Sequence, residues 1–178
     1  MVLSSAIIGG FSALAAADYL AILKKPLASG LLGVLGYLAV AVSLAFMIFG
    51  APFPALTGAS QYAGIVLALV AGIMLIWSVF LELPHERRKF GLKPEQAVTS
   101  GTYSLCRHPG WWWLALFIAG IYLIKRETAL LTPSIILNVA NLALIALQDH
   151  FFFPQLFEGY DDYKKSTPFL LPSVRRRG

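Results

Sequence analysis

Long apolar runs separated by short polar stretches dominate the chain, and five of them predict helices that cross a lipid bilayer. A spanning helix needs about 20 mostly apolar residues. The runs cover residues 3–23, 30–50, 61–83, 110–124 and 130–150. The fourth run is short for a span, and charged residues separate it from the fifth, whose apolar part ends at residue 147. We therefore expect an all-α polytopic membrane helix bundle of about five transmembrane helices, in which 110–124 and 130–147 form a tight hairpin.

Composition indicates that lipid rather than water surrounds this bundle. Of 178 residues, 58% are hydrophobic and 13% are charged, whereas soluble domains carry about 25% charged residues. One water-soluble domain of this length cannot hide so much apolar surface. We expect a single membrane domain over residues 1–178, with N-terminal helices in 1–83 and a functional half in 84–178. The first run lacks a basic leader and a small-residue cleavage site, so we expect it to be a retained helix.

Basic residues occur in short clusters, which predict the topology. The net charge is +5. The clusters lie at residues 24–25, 87–89, 125–126, 164–165 and 175–177. Because basic loops tend to stay in the cytoplasm, we expect the 84–109 loop, the loop around Lys24 and the C-terminus there, in a prokaryotic inner membrane or the endoplasmic reticulum. A broad basic face is absent from the pattern, so the expected partner is the bilayer and not nucleic acid.

Two segments do not have the pattern of a membrane span. The loop at 84–109 is charged and contains Pro94 and Gly101, and loops of this length are usually functional or disordered. The tail at 150–178 mixes aromatic and charged residues. We expect it to lie along the cytoplasmic interface, with its Phe and Tyr side chains at headgroup depth.

The densest polar and aromatic stretch runs from Gly101 to Trp113, at the predicted start of the fourth helix. Pro109 suits a first helical turn, and a helix N-terminus offers free N–H groups to an anion. Arg107 adds a paired donor for carboxylate or phosphate, and His108 can donate, accept or titrate near neutral pH. The same residues would also serve as a headgroup anchor with an aromatic belt. Because three consecutive tryptophans cannot share one helix face, at least one should point into the bundle.

A family resemblance begins in this stretch. The residues that carry it are Gly101, Tyr103, Cys106, Arg107, His108 and Pro109. They resemble the G-x-Y-x-x-(I/V)-R-H-P-x-Y motif of the isoprenylcysteine carboxyl methyltransferase and phospholipid N-methyltransferase group of membrane enzymes. That family continues with a glutamate pair ending the last helix, then F-G-x-x-Y-x-x-Y and a closing proline. The corresponding residues here are Gln148, Asp149, Leu156, Phe157, Tyr160, Tyr163, Pro168 and Pro172, so the resemblance covers roughly the C-terminal 80 residues.

The resemblance implies a methyltransferase that binds S-adenosyl-L-methionine in residues 84–178 and takes a lipophilic small-molecule or lipid acceptor from the bilayer. The implied catalytic residues are Arg107, His108 and Asp149. The implied cofactor-binding residues are Tyr103, Arg107, His108, Pro109, Trp111, Gln148, Asp149 and Tyr160. In such a site positioning supplies much of the rate, and aromatic and acidic groups surround the sulfonium. Arg107 or the helix N-terminus would take the methionine carboxylate.

The chain departs from the family pattern at several positions. Trp111 replaces the motif tyrosine, and Trp113 stands at a usually small position. Gln148 replaces the first glutamate, Asp149 shortens the second, and Phe157 replaces a glycine. An arginine that often precedes the acidic pair is missing, which puts prenylcysteine in doubt as the substrate. These departures leave open a diverged or an inactive member.

Two other functions fit the same pattern. Sterol and steroid reductases carry a similar R-H-P-N-Y segment and use NADPH, but here Gly110 replaces the asparagine and the chain is short for that group. A non-catalytic lipid-binding relative would keep the architecture with a substituted acidic pair. The acceptor and the oligomeric state stay open.

Polar residues inside the apolar runs have mainly structural interpretations. Asn138 and Asn141 share one helix face, which favours an interhelical hydrogen bond over a ligand contact. Asp18 is an intramembrane carboxylate, and its nearness to Lys24 favours a local structural role over a functional one. The two histidine–carboxylate pairs of the chain lack ligand spacing, so we expect no metal site.

Overall fold

The fold is an all-α bundle, which confirms the fold class predicted from the apolar runs. The computed structural model describes residues 2–50 and 52–172. Its α-helices are α1 (Val2–Ile22), α2 (Pro26–Phe49), α3 (Ala59–Ile76), α4 (Glu82–Phe90), α5 (Pro109–Lys125), α6 (Leu131–Leu147), α7 (Phe153–Leu156) and α8 (Tyr160–Ser166). Four helical stretches are long and apolar enough to cross a membrane: Val2–Ile22, Pro26–Phe49, Ala59–Phe90 and Thr128–Leu156. Helix α5 is apolar but shorter, with 17 residues.

Two helices continue beyond the ends that the sequence predicts. A π-helical turn, Trp77–Leu81, joins α3 to α4, and a second, Gln148–Phe152, joins α6 to α7. The predictions that a loop begins at residue 84 and that the tail begins at residue 150 are therefore wrong, because helix continues through both positions. Pro84, at which the predicted loop begins, lies at the start of the helix that follows the first π turn, and Pro154 lies at the start of the helix that follows the second. A proline is tolerated there because the first turn of a helix does not need its N–H group.

Glycines allow two pairs of helices to pack at close range. Along α3 and α5, a Cβ added at Gly120 would lie 2.7 Å from the backbone N of Ala68, and one added at Gly64 would lie 2.9 Å from the Gly120 carbonyl oxygen. Gly10 of α1 and Gly36 of α2 face each other in the same way. In lipid the hydrophobic effect does not drive helices together, and close van der Waals packing at small residues stabilises their association instead.

Helix α5 packs mainly along α3, whereas the sequence predicts a tight hairpin of α5 with α6. The C-terminal end of α5 reaches the start of α3, where the Gln61 side chain donates to the Ile124 carbonyl at 3.1 Å and Arg126 donates to Ser60. Helix α6 lies chiefly against α1. The bundle therefore consists of an α1–α2 pair and an α3–α5 pair, with α6 beside both.

The segment after α7 folds back onto one end of the bundle. Glu158 forms a short parallel β-bridge with Gln96, and the side chains of Tyr160 and Tyr163 are buried. Both side chains pack inside the protein, because their hydroxyl groups find protein acceptors there. The depth of the tail in the membrane stays a prediction. The basic cluster at 175–177 lies outside the described residues.

Candidate functional site

A partly open cavity lies between the α1–α2 pair and the α3–α5 pair. Its volume is about 630 Å³, within the range of small-molecule sites. Most of the lining is apolar and comes from residues such as Phe11, Leu14, Leu44, Leu75, Leu114 and Leu144. One end carries polar groups and is closed by the α4 region and the tail. Six of the eight predicted cofactor-binding residues line the cavity: Tyr103, Arg107, His108, Trp111, Gln148 and Tyr160.

Behind this lining, Arg107 and Asp149 form a two-point ion pair. Nε of Arg107 lies 2.6 Å from Oδ1 of Asp149, and Nη2 lies 2.9 Å from Oδ2. Both side chains are about nine-tenths buried. Parallel bonds of this kind are among the strongest polar contacts in proteins. The structure thus brings together the motif arginine and the acidic residue that the sequence predicts as its partner in the site.

The other donors of Arg107 bind backbone carbonyls in the tail. Nη1 donates to the carbonyls of Lys164 at 3.1 Å and Thr167 at 2.5 Å. The backbone N–H of Arg107 donates to the carbonyl of Pro168 at 3.0 Å. Four of its five guanidinium N–H groups are therefore engaged by protein. Arg107 holds the 101–108 segment, the end of α6 and the tail together, and it has little capacity left for the carboxylate that the sequence assigns to it.

His108 precedes α5 and is buried beside the ion pair. Its Nε2 lies 3.4 Å from Oδ1 of Asp149, and its ring contacts the rings of Phe153 and Phe169. Burial lowers the pKa of this imidazole, although the nearby Asp149 carboxylate acts in the opposite direction. The ring is therefore neutral at physiological pH and can donate from one nitrogen and accept at the other. Pro109 follows it in the first turn of α5, as predicted, but does not line the cavity.

Three tyrosines line the polar end of the cavity through their rings, while their hydroxyl groups donate to protein. Tyr103 donates to the Ser78 carbonyl at 2.9 Å, Tyr160 to Oδ1 of Asp149 at 2.8 Å, and Tyr163 to the Tyr103 carbonyl at 2.5 Å. Burial raises the pKa of all three phenols. They stay protonated and neutral, so they offer ring faces and phenolic oxygens to a ligand.

The three tryptophans point in different directions, as the sequence predicts. Trp111 lines the cavity, and its Nε1 donates to the Asn138 carbonyl at 3.4 Å. Trp112 donates to the Leu170 carbonyl in the tail at 2.7 Å. Nε1 of Trp113 is buried without a hydrogen-bond partner in the described part of the chain. At least Trp111 therefore faces the bundle interior rather than an aromatic belt.

Polar residues of the membrane helices also meet at this end. Gln148 lines the cavity and donates from Nε2 to Asp18 of α1 at 2.8 Å. Asp18 thus binds a residue far away in the sequence, whereas its predicted neighbour was Lys24. Because a carboxylate accepts only, it fixes the Gln148 amide with its carbonyl oxygen directed away from Asp18. Asn141 lines the cavity too, and Asn138 donates to the Ser134 carbonyl of its own helix instead of to another helix.

Sequence reasoning missed Glu82, which holds the Gly101–Tyr103 segment. Both carboxylate oxygens of this buried residue accept at 2.5 Å, from the backbone N–H and from the hydroxyl of Thr102. One turn further, Glu86 accepts from Ser100. With Ser78, these glutamates form a row at intervals of four residues, all buried. The four-residue spacing could have indicated buried carboxylates on one helix face, since charges that are merely exposed at a membrane boundary need not share a face.

Substitution of Gly101 tests this attachment. Gly101 and Gly91 both have φ of +63°, but only at Gly101 does an added Cβ overlap the Glu82 carboxylate, whereas nothing lies within 4 Å of a Cβ at Gly91. Gly91→Ala should lower the unfolding free energy by about 1–2 kcal/mol through the left-handed backbone alone. Gly101→Ala should lower it by about 2–4 kcal/mol, because the Glu82 contact is lost as well. Denaturant unfolding in mixed micelles measures both, and equal losses would contradict the role of Glu82.

The predicted residues are thus gathered at one end of the fold, with Arg107, His108 and Asp149 in direct contact and Gln148 and Trp111 on the cavity wall. Comparisons with protein-family models, with curated proteins and with solved structures return no match. Function must therefore be argued from the cavity and its chemistry.

Proposed function

We propose that the protein is a membrane-embedded S-adenosyl-L-methionine-dependent methyltransferase that acts on a lipophilic small-molecule or lipid acceptor. The observation that carries the proposal is the amphipathic cavity. Its polar end is built from the residues that resemble the methyltransferase motif, and its apolar body lies among α1, α2, α3 and α6. A polar cofactor and an apolar acceptor can meet in such a space without leaving the protein.

The residues at the polar end fit the cofactor. When bound, S-adenosyl-L-methionine supplies an electrophilic methyl group on a cationic sulfonium. The rings of Tyr103, Trp111 and Tyr160 offer π faces to a cation. Gln148 offers an amide oxygen, which accepts no hydrogen bond from the residues described here. His108, being neutral, can orient the cofactor or acceptor through a hydrogen bond.

Arg107 and Asp149 contribute to this proposal by positioning other residues. Their ion pair fixes the end of α6 against the 101–108 segment, and Asp149 accepts from Tyr160, whose ring lines the cavity. Since positioning supplies much of the rate of a group transfer, a rigid wall around the reacting groups is itself a catalytic contribution.

The topology of the proposal follows from charge. The polar end of the cavity lies beside the 87–89 cluster of α4, which we propose faces the cytoplasm. At the opposite end Lys125, which would oppose this orientation, is buried and lies 4.1 Å from the centre of the Phe53 ring. A cation satisfied inside the protein does not count as a loop charge. The exposed Arg126 is then the charge of that cluster that opposes the orientation, and the basic residues of α4 and the tail outnumber it.

Calorimetry of the purified protein in detergent tests the cofactor. We expect S-adenosylhomocysteine to bind and NADPH not to bind, with transfer of labelled methyl groups into a lipid extract as the activity measurement. Binding of NADPH alone would instead support the reductase alternative.

A non-catalytic lipid-binding protein is the second candidate. It is favoured by the engagement of Arg107 and Asp149 with each other and by the predominantly apolar lining of the cavity. If neither nucleotide binds while a single-chain lipid copurifies with the protein, this second function replaces the first.

A further inference from the structure

Arg87 lines the polar end of the cavity, and it is not one of the motif residues. It sits on α4, is half-buried and lines the cavity together with Phe157 of the tail. Its guanidinium carbon is 5.7 Å from the centre of the Phe157 ring. Arginine is thus held between a helix and an aromatic ring at the polar mouth of an otherwise apolar space.

The orientation of the guanidinium is fixed by one of its nitrogens. Nη1 donates to the carbonyls of Lys93 at 2.6 Å and Pro94 at 2.7 Å, which uses both of its N–H groups. Nε and Nη2 donate to no residue in ranges 2–50 and 52–172, and no carboxylate there lies within ion-pair distance of Arg87. A structural role in closing the turn after α4 needs Nη1 only. Nε and Nη2, which form the other edge of the guanidinium group, keep their N–H donors available to a ligand.

That edge is the one that recognises carboxylates. In this same protein, Arg107 holds Asp149 through Nε and Nη2, and such side-by-side pairs suit both carboxylate and phosphate oxygens. The two arginines at the polar end therefore differ in availability: protein engages Nε, Nη1 and Nη2 of Arg107 but only Nη1 of Arg87 among the residues that the structure describes. An anionic group of a ligand in the cavity would find its donor in Arg87.

We propose that Arg87 binds an anionic oxygen group, a carboxylate or a phosphate, of an amphiphilic ligand whose apolar part occupies the cavity. The inference rests on the proposed function in using the same cavity, and it adds the chemical class of the ligand. Two sources carry this chemistry. One is an acidic lipid acceptor. The other is the amino-acid carboxylate of the cofactor, which the family resemblance assigns to Arg107 or to the N-terminus of α5.

The test compares Arg87→Gln with Arg88→Gln, which removes the same charge one position along α4. Arg88 donates only to the Pro84 carbonyl and does not line the cavity. For the lipid source the probes are dibromostearate and its methyl ester, which share a chain and differ in charge. Binding in phosphatidylcholine nanodiscs is measured as the tryptophan quenching that Trp111→Phe removes. For the cofactor source the probes are S-adenosylhomocysteine and methylthioadenosine, which lacks the amino-acid group, by calorimetry.

The wild-type protein and Arg88→Gln should prefer the charged member of at least one pair, and Arg87→Gln should reduce that preference about tenfold, or about 1.4 kcal/mol. If Arg87→Gln loses the preference for dibromostearate over its methyl ester, the anionic group belongs to the acceptor. If it loses the preference for S-adenosylhomocysteine over methylthioadenosine, the anionic group belongs to the cofactor. An undiminished preference in Arg87→Gln, or no preference in the wild-type protein, overturns the proposal. If Arg87→Gln does not fold, Arg87→Lys and the wild-type measurement decide in its place. Since the lipid pair needs no cofactor, a failure of nucleotide binding leaves this test intact.

Discussion

Loss of either Arg107 or Asp149 alone is expected to lower the free energy of unfolding by about 3–5 kcal/mol. Each removal leaves the other charge buried with its partner gone. Arg107→Ala also frees the carbonyls of Lys164 and Thr167, and Asp149→Asn turns one acceptor of the pair into a donor that faces the guanidinium. Denaturant unfolding in mixed micelles measures the loss, and limited proteolysis of the tail reports whether it detaches first.

A double substitution shows whether the effect comes from broken pairing or from the loss of each residue. Arg107→Met with Asp149→Leu replaces both charges with apolar groups, and buried pairs replaced in this way often lose little stability. We expect the double variant to be less destabilised than the sum of the single variants by at least about 1 kcal/mol, the size of coupling seen between contacting residues. Strict additivity would contradict a coupled pair.

Ligand binding shows whether the Arg107–Asp149 pair acts by positioning other residues or whether the Tyr160 phenol contacts the ligand directly. Variants that remain folded should bind S-adenosylhomocysteine about tenfold more weakly, since the ion pair that fixes the end of α6 against the 101–108 segment is lost. Tyr160→Phe keeps the ring and the ion pair, and it should therefore bind the ligand nearly as well as the wild-type protein. If Tyr160→Phe has the larger effect, the phenol acts directly and the ion pair does not act through it.

The helices were predictable because the bilayer leaves the backbone few choices. An apolar run of about 20 residues must satisfy its own hydrogen bonds, so runs such as 30–50 specify helices without tertiary information. The helix ends were not predictable in the same way. Pro84 and His150 stand at the boundaries that composition suggests, but π turns at 77–81 and 148–152 carry both helices further. A π turn depends on tertiary packing, and its sequence pattern is weak.

The candidate site was predictable as a set of residues, while the role of each depended on three-dimensional neighbours. The spacing from Arg107 to Asp149 indicated that they belong to one site. It did not indicate that they bind each other, or that Arg87 keeps Nε and Nη2 available at the cavity. Sequence reasoning assigns Arg87 to a basic topology cluster, since a charge after an apolar run usually marks the membrane boundary. Only the fold of the 91–98 loop and of Phe157 places it at a cavity.

Glu82→Ala is expected to lower the free energy of unfolding by about 2–4 kcal/mol and to reduce ligand binding even in molecules that remain folded. The carboxylate accepts from both the N–H and the hydroxyl of Thr102. Its removal leaves two partly buried donors of Thr102 without their partner, each bond to a charged group being worth about 1.5–3 kcal/mol. The Tyr103 ring, which lines the cavity next to Thr102, then loses its support from α4.

Glu86→Ala provides the matched control because Glu86 is the same residue type, one turn further along the same face of α4. It accepts from the Ser100 hydroxyl and pairs with Lys89, whose side chain is more than half exposed. Because Lys89 is mostly exposed, its pair with Glu86 contributes little. Glu86→Ala should therefore lower the free energy of unfolding by at least about 1 kcal/mol less than Glu82→Ala and leave ligand affinity close to the wild-type value. Equal losses in both variants would mean that α4 is stabilised by its acidic row as a whole. A selective loss at Glu82 would identify its contact with Thr102 as the one that maintains the shape of the site, since there the membrane helix bonds the backbone of the motif segment.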